Sequence, residues 1–110
     1  MDITFKTAKM AKVFNSERDL DRQYGRQADA IKRRMAVLRA AATLDRVSHL
    51  PPERCHELHP LGNGLYAVDL KHPWRLVFAV GNDPIPRKDD GGVDKTKVTA
   101  IEIRSVEDYH

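Results

Sequence analysis

The chain has a single cysteine, Cys55, in 110 residues. One thiol excludes an internal disulfide and a thiolate metal cluster, and it suits a reducing compartment. No apolar run approaches the roughly twenty residues of a membrane span. The opening stretch Met1-Asp2-Ile3-Thr4-Phe5-Lys6 lacks the charged and apolar zones of a signal peptide. The expectation is therefore a cytoplasmic protein with no membrane partner. There is no Gly-rich phosphate loop, no Gly-x-Ser-x-Gly elbow and no Cys–His pair at a recognisable spacing. Internal repeats are absent too, and the length suits one domain, residues 1–110, with one core and little to spare. Aromatic residues are scarce at 6%, but 41% of the chain is hydrophobic, enough to make folding rather than disorder the default.

Charge is present in both signs and unevenly spread. The formal net charge is +3, and residues 1–40 hold ten Lys or Arg against five Asp or Glu. A basic first third can meet phosphate, and it can equally be the solvated face of a surface helix.

The hydrophobic period changes along the chain. Asp2–Lys6 alternates and reads as a short edge strand with Ile3 and Phe5 inward. Ala8–Phe14 makes about two helical turns. Ser16 followed by Asp19 resembles a capping box for a second helical piece, which Gly25 breaks or bends. From Arg26 the helical signal is strongest: Ala28, Ile31, Met35, Leu38 and Ala42 form one apolar face, with Arg26, Arg33, Arg34 and Arg39 on the other side. Ala40-Ala41-Ala42-Thr43-Leu44 is expected to carry this helix to its end, before Pro51-Pro52 forces an extended linker. Beyond the prolines the period is two. Tyr66, Val68 and Leu70, then Trp74, Leu76, Phe78 and Val80, alternate on either side of His72-Pro73 and read as a β-hairpin. Residues 81–95, rich in Pro, Asp and Gly, read as a long mobile connection. A last strand follows over Lys97–Arg104. The expected class is α+β: an N-terminal strand, two helices, then a three- to four-stranded antiparallel sheet with the helices on one face.

Few residues offer chemistry. His56 and His59 are three apart, near metal-sharing spacing, but Pro60 follows directly and no acidic motif supports them, so neither a metal nor another cofactor is expected. What remains is an acid–base set: His59 in a turn before the hairpin, Arg75 facing away from Trp74 and Leu76, and Asp108, Tyr109 and His110 after the last strand. Imidazoles with ordinary pKa values near 6.5 can serve as base and acid at neutral pH, for gains of about 10²–10⁴-fold. The plain alternative is a surface histidine, a strand-edge arginine and a frayed tail.

Four stretches, in this order, carry a resemblance. They are Glu57-Leu58-His59-Pro60-Leu61, Tyr66-Ala67-Val68, Trp74-Arg75-Leu76-Val77-Phe78 and Glu107-Asp108-Tyr109-His110. Together they resemble the HigB branch (plasmid maintenance killer proteins) of the RelE/ParE toxin superfamily, closely over residues 55–110 and loosely over the rest. The resemblance implies a RelE-like fold and a toxin of a type II toxin–antitoxin system. Such a toxin is a ribosome-dependent mRNA endonuclease that cuts A-site codons without a metal. It implies His59, Asp108, Tyr109 and His110 as catalytic residues, with Arg75 beside them. Lys71, Arg104, Arg33 and Arg34 would bind RNA. The implied partners are the ribosome, mRNA and a HigA-like helix-turn-helix antitoxin, with operator DNA reached only through that antitoxin. Gly62 stands where the family often has a lysine, Pro73 where a small polar residue often precedes Trp-Arg, and residues 81–95 exceed the usual tight hairpin. Two other activities fit the same fold: a ParE-like gyrase poison, which needs no acid–base pair, and a non-catalytic antitoxin-binding protein.

Overall fold

The fold is known from a computed structural model, which describes residues 1–59 and 62–108. It is α+β. Strand β1 (Asp2–Phe5) leads into helices α1 (Ala8–Phe14), α2 (Glu17–Tyr24) and α3 (Ala28–Ala40). The chain then forms β2 (His56–Glu57), β3 (Leu65–Asp69), β4 (Trp74–Val80) and β5 (Ala100–Asp108). The five strands make one sheet in the order β1-β5-β4-β3-β2. An all-antiparallel sheet was the expectation, and it needs correction: β1 runs parallel to β5, from Asp2 beside Ala100 to Phe5 beside Ile103. The helices and three other strands separate β1 from β5 in sequence, so no hairpin imposes an antiparallel direction on them. The β3–β4 hairpin forms as its alternation predicts, with Val68 opposite Leu76 and Asp69 opposite Arg75.

The helices begin where side chains can satisfy their first free N–H groups. Thr7 Oγ1 accepts from Met10 N, and Ser16 Oγ accepts from Asp19 N at 3.1 Å. Gly25 takes φ +50, a left-handed value that favours glycine, and separates α2 from α3. Helix α3 stops at Ala40, short of the expected Leu44. Ala41 is extended, and the next segment is drawn to the sheet, where Leu44 is buried and its N–H donates to Val98 O at 3.1 Å. Ala28, Ile31, Met35 and Leu38 of α3 pack with Phe14 and Leu20 against Tyr66, Val68, Leu76, Phe78, Ile101 and Ile103. All the helices therefore lie on one face of the sheet. Burying a side chain such as Ile31 or Phe78 fully contributes about 1.5–3 kcal/mol.

Arg34 departs from the expected basic face. It is only 7% exposed, and its Nε donates to Asp69 O at 2.7 Å. It lies three residues after Ile31 and four before Leu38, within the stripe that packs on the sheet.

Residues 81–95 are folded rather than loose. Asp94 N donates to Pro86 O at 2.9 Å, Arg87 bridges to Val93, and Val93 is buried in the core. A short 3₁₀ turn, Lys95–Lys97, follows, capped by Asp94 Oδ1. Strand β5 accordingly starts at Ala100, later than expected, and runs through Glu107 and Asp108 instead of stopping at Arg104.

Candidate active site

The sheet face opposite the helices has a floor of small residues. Ala67, Val77 and Ala79 are buried there but lie outside the helix-side core. Strand alternation puts Asp69, Arg75 and Leu65 on this same face. On β5 a bulge decides which residues join them. Val77 pairs with Ser105 and Phe78 with Ile103, so Arg104 is an extra residue between the two pairs. Unbroken alternation from Ile101 and Ile103 would turn Ser105 and Glu107 toward the helices. The inserted Arg104 reverses that parity, so that Val106 faces the core and Ser105 and Glu107 reach the open face beside Arg75.

At one end of this face the charged residues form a ladder. Arg54 grips Asp69 with two bonds, Nε to Oδ2 at 2.7 Å and Nη2 to Oδ1 at 3.2 Å. Arg75 is opposite Asp69, and its Nη2 donates to Glu107 Oε1 at 3.0 Å. Ser105 Oγ donates to Glu107 Oε2 at 2.8 Å. The Ser105 hydroxyl and the Arg75 guanidinium hold the Glu107 carboxyl below its ordinary range. Asp69 anchors the ladder through its backbone as well. Its N–H donates to Glu53 O and its C=O accepts from Arg34, so main chain and side chain are all engaged. Arg54 has φ +45, uncommon for a residue with a side chain. A guanidinium paired with a carboxylate at a partly exposed position, as Arg75 is with Glu107, can exchange that contact for phosphate oxygens.

The sequence-derived candidates do not all gather at this ladder. Arg75 is in it. Asp108 is exposed and paired in register with Trp74 rather than Arg75, so alternation sets it on the face opposite Glu107. Tyr109 and His110 lie outside the described residues. His59 is exposed at the other end of the sheet, beyond Leu58, whose N–H donates to Leu65 O. From the Leu58–Leu65 row to Arg75 is four steps along β3 and two strand spacings, on the order of 16 Å between backbones. Lys71 and Arg33 are exposed, and Arg104 is exposed at the bulge with its Nε 2.7 Å from Glu102 Oε1. Arg34 is withdrawn from any RNA-binding face by its burial.

Gly62 explains its own departure from the family pattern. Its φ is +76, and a Cβ there would stand 3.0 Å from Arg87 Nη1 and 3.2 Å from Gly91 O. Arg87 Nη1 donates to the carbonyls of Gly62 and Gly91. A lysine would be strained at this position and would press on its neighbours, and the 81–95 segment delivers a guanidinium to the same place. Cys55 offers no nucleophile, because burial pushes its thiol up to about 11. Among the described residues no group of three or more His, Cys, Asp or Glu is gathered to hold a metal, and no helix is long and apolar enough to cross a membrane.

No family model, curated protein or solved structure matches this chain. Its chemistry has to be argued from its own residues. Of those, Arg54, Asp69, Ser105 and Arg87 carry no role in the sequence reading, and Glu107 enters it only within the terminal Glu107-Asp108-Tyr109-His110 stretch. Asp69 and Arg75 both break the apolar pattern at the ends of the hairpin strands, a signal that could have paired them. Nothing in the sequence marks the bulge that brings Glu107 to Arg75.

Proposed function

We propose that this chain is a RelE-like, HigB-type toxin: a metal-independent endoribonuclease that cuts mRNA in the ribosomal A site and is restrained by a helix-turn-helix antitoxin. The observation that carries this reading is the guanidinium ladder on the sheet face opposite the helices, where Arg75 stands opposite Asp69 and binds Glu107. RNA crosses the face from the ladder toward the His59 turn. Arg75, released in part from Glu107, binds the scissile phosphate and stabilises the charge of the phosphorane. The 2′-hydroxyl attacks its own 3′-phosphate, forming the 2′-O–P bond as the P–O5′ bond breaks. The 2′ proton passes to a base and the 5′ oxygen takes a proton from an acid, leaving a cyclic phosphate and a free 5′-hydroxyl.

His59 and His110 are the proton-transfer groups in this reading. Asp108 orients an imidazole, and Tyr109 stacks on a base or bonds the phosphate. Arg87 adds positive charge beside the His59 turn. Arg33, Lys71 and Arg104 steer the protein to RNA without touching the reacting atoms. The antitoxin reaches operator DNA, and the toxin reaches it only through that partner.

The test is in vitro translation of a defined mRNA with purified protein, mapping cuts by primer extension beside His59→Ala and His110→Ala. Ribosome-dependent cuts within A-site codons that vanish in both variants are expected. Translation untouched by folded wild-type protein refutes the nuclease. Inhibition of gyrase supercoiling without RNA cleavage would put the gyrase-poison reading in its place.

A further inference from the structure

A second concavity lies on the helix side of the sheet, at the β2 edge and beneath the folded 81–95 segment. Its volume is about 530 Å³, within the range of small-molecule sites. Glu57 and Tyr66 line it and face each other across the β2–β3 pair. Directly opposed residues have Cβ atoms about 4.5–5.5 Å apart. Among the described residues the buried Glu57 Oε2 has no hydrogen-bond partner. Tyr66 is 4% exposed, and among the described residues its hydroxyl makes no hydrogen bond. A buried polar atom left without a partner, as Glu57 Oε2 is, costs about 1–3 kcal/mol, so a native protein rarely keeps one without a use. Burial, with the Glu57 carboxylate nearby, pushes the Tyr66 phenol up to about 12, so it remains a donor at neutral pH. Lys88, Lys95 and Asp90 stand around the cavity; Lys88 Nζ is 3.8 Å from Asp90 Oδ2. His56 Nδ1 lies 2.7 Å from Arg54 O, which fixes the ring proton on that nitrogen.

We propose that this cavity binds a guanine nucleotide, with the Watson–Crick edge of the base on Glu57 and Tyr66 and the phosphate toward Lys88 and Lys95. Guanine presents two adjacent donors, N1–H and the 2-amino group, beside the O6 acceptor. A carboxylate next to a phenolic donor, as Glu57 is next to Tyr66, complements that order. Adenine and cytosine offer a single amino donor, and uracil one N–H between two acceptors, so each leaves part of the pair unsatisfied. Guanine alone supplies a donor to each carboxylate oxygen as well as an acceptor to the phenol, and the oxygen left over with the other bases is the source of the discrimination. The ligand's source is either a free nucleotide or a guanosine of an RNA strand passing the β2 edge. The cavity lies on the opposite side of the sheet from the ladder, and its occupancy needs no cleavage.

The experiment is titration calorimetry of the full chain with GMP, IMP, AMP and guanosine. GMP is expected to bind, IMP tenfold or more weakly for lack of the 2-amino group, and AMP more weakly still. Glu57→Gln should lower GMP affinity at least tenfold with an unchanged melting curve. Lys95→Ala, at an exposed position, should narrow the gap between GMP and guanosine. Equal binding of GMP and AMP overturns the proposal, as does unaltered GMP binding in folded Glu57→Gln. Competition with the trinucleotides ApGpA and ApApA identifies the source. If ApGpA alone displaces GMP, the base comes from RNA; if neither does, from a free nucleotide. No binding of either GMP or ApGpA at millimolar concentration also overturns it.

Discussion

Replacing Arg34 by Met should destabilise the domain, whereas the same change at Arg33 should not. Methionine can occupy the path of the Arg34 stem in the α3 stripe, so little packing is lost. What disappears is the donor to Asp69 O, at 2.7 Å from a side chain 7% exposed. Asp69 faces Arg75 of β4, yet its own N–H and C=O are taken up elsewhere, by Glu53 and Arg34. Without Arg34 no other donor among the described residues bonds this part-buried carbonyl. A buried acceptor stripped of a charged partner costs about 1–3 kcal/mol. Relief from desolvating a guanidinium offsets part of this, leaving a net loss of about 1–2 kcal/mol. For a domain of this size that is a fall in Tm of roughly 5–15 °C. Arg33 is exposed, and its replacement should stay within about 0.5 kcal/mol. Urea unfolding followed by far-ultraviolet circular dichroism measures both, with an unchanged slope certifying that stability alone has moved. RNA affinity should respond the other way round: Arg33→Met flattens its salt dependence, and folded Arg34→Met leaves it alone. Two variants of equal stability would refute the structural assignment of Arg34.

Arg75→Ala should abolish RNA cleavage while changing stability by less than about 1 kcal/mol, since its pair with Glu107 is partly exposed; a large loss in Tm would make it structural. The Glu107 carboxyl is held low by Ser105 and Arg75, so its stabilisation is complete above the ordinary carboxylate pKa and disappears as pH falls through the depressed folded value. Wild type and Glu107→Gln should thus differ in Tm at pH 7 and converge toward pH 3, and a constant difference would place the effect elsewhere. Gly62→Lys, which restores the family cation, should lower stability and loosen residues 81–95 to proteolysis, because φ +76 strains any side chain and its Cβ would press on Arg87 Nη1 at 3.0 Å. A lysine variant as stable as the wild type would show that the turn adapts.

The sequence made the main elements readable because each has a periodic apolar stripe. Ile31, Met35 and Leu38 mark α3 and Leu76 and Phe78 mark β4, and all five are buried in the common core. Ser16 and Asp19 marked the start of α2 by a local bond that exists. What escaped depends on contacts between distant segments. The parallel placing of β1, the ordered 81–95 segment and the early end of α3 are settled by Ile103, Val93 and Leu44 meeting other parts of the chain. Arg34 was misplaced because a charged residue was assigned to solvent by type, though its spacing fits the buried stripe. The candidate site was legible at Arg75. Its neighbours follow from register, and register on β5 changes at a bulge that no residue type announces.

That bulge divides β5 into two parts that can vary separately. Before Arg104, the strand is fixed by Ile101 and Ile103 in the core. After it, the strand answers only to its hairpin partner and to Val106, which packs against the core's margin. Removing the single residue Arg104 would restore plain alternation in a strand one residue shorter, leaving Ser105 and Glu107 on the open face. Drawing Arg104 into regular alternation, with no change in length, would exchange the sides presented by Glu107 and Asp108. A lineage carrying this fold could therefore change which carboxylate stands beside Arg75 by gaining or losing one bulge, without redesigning the core.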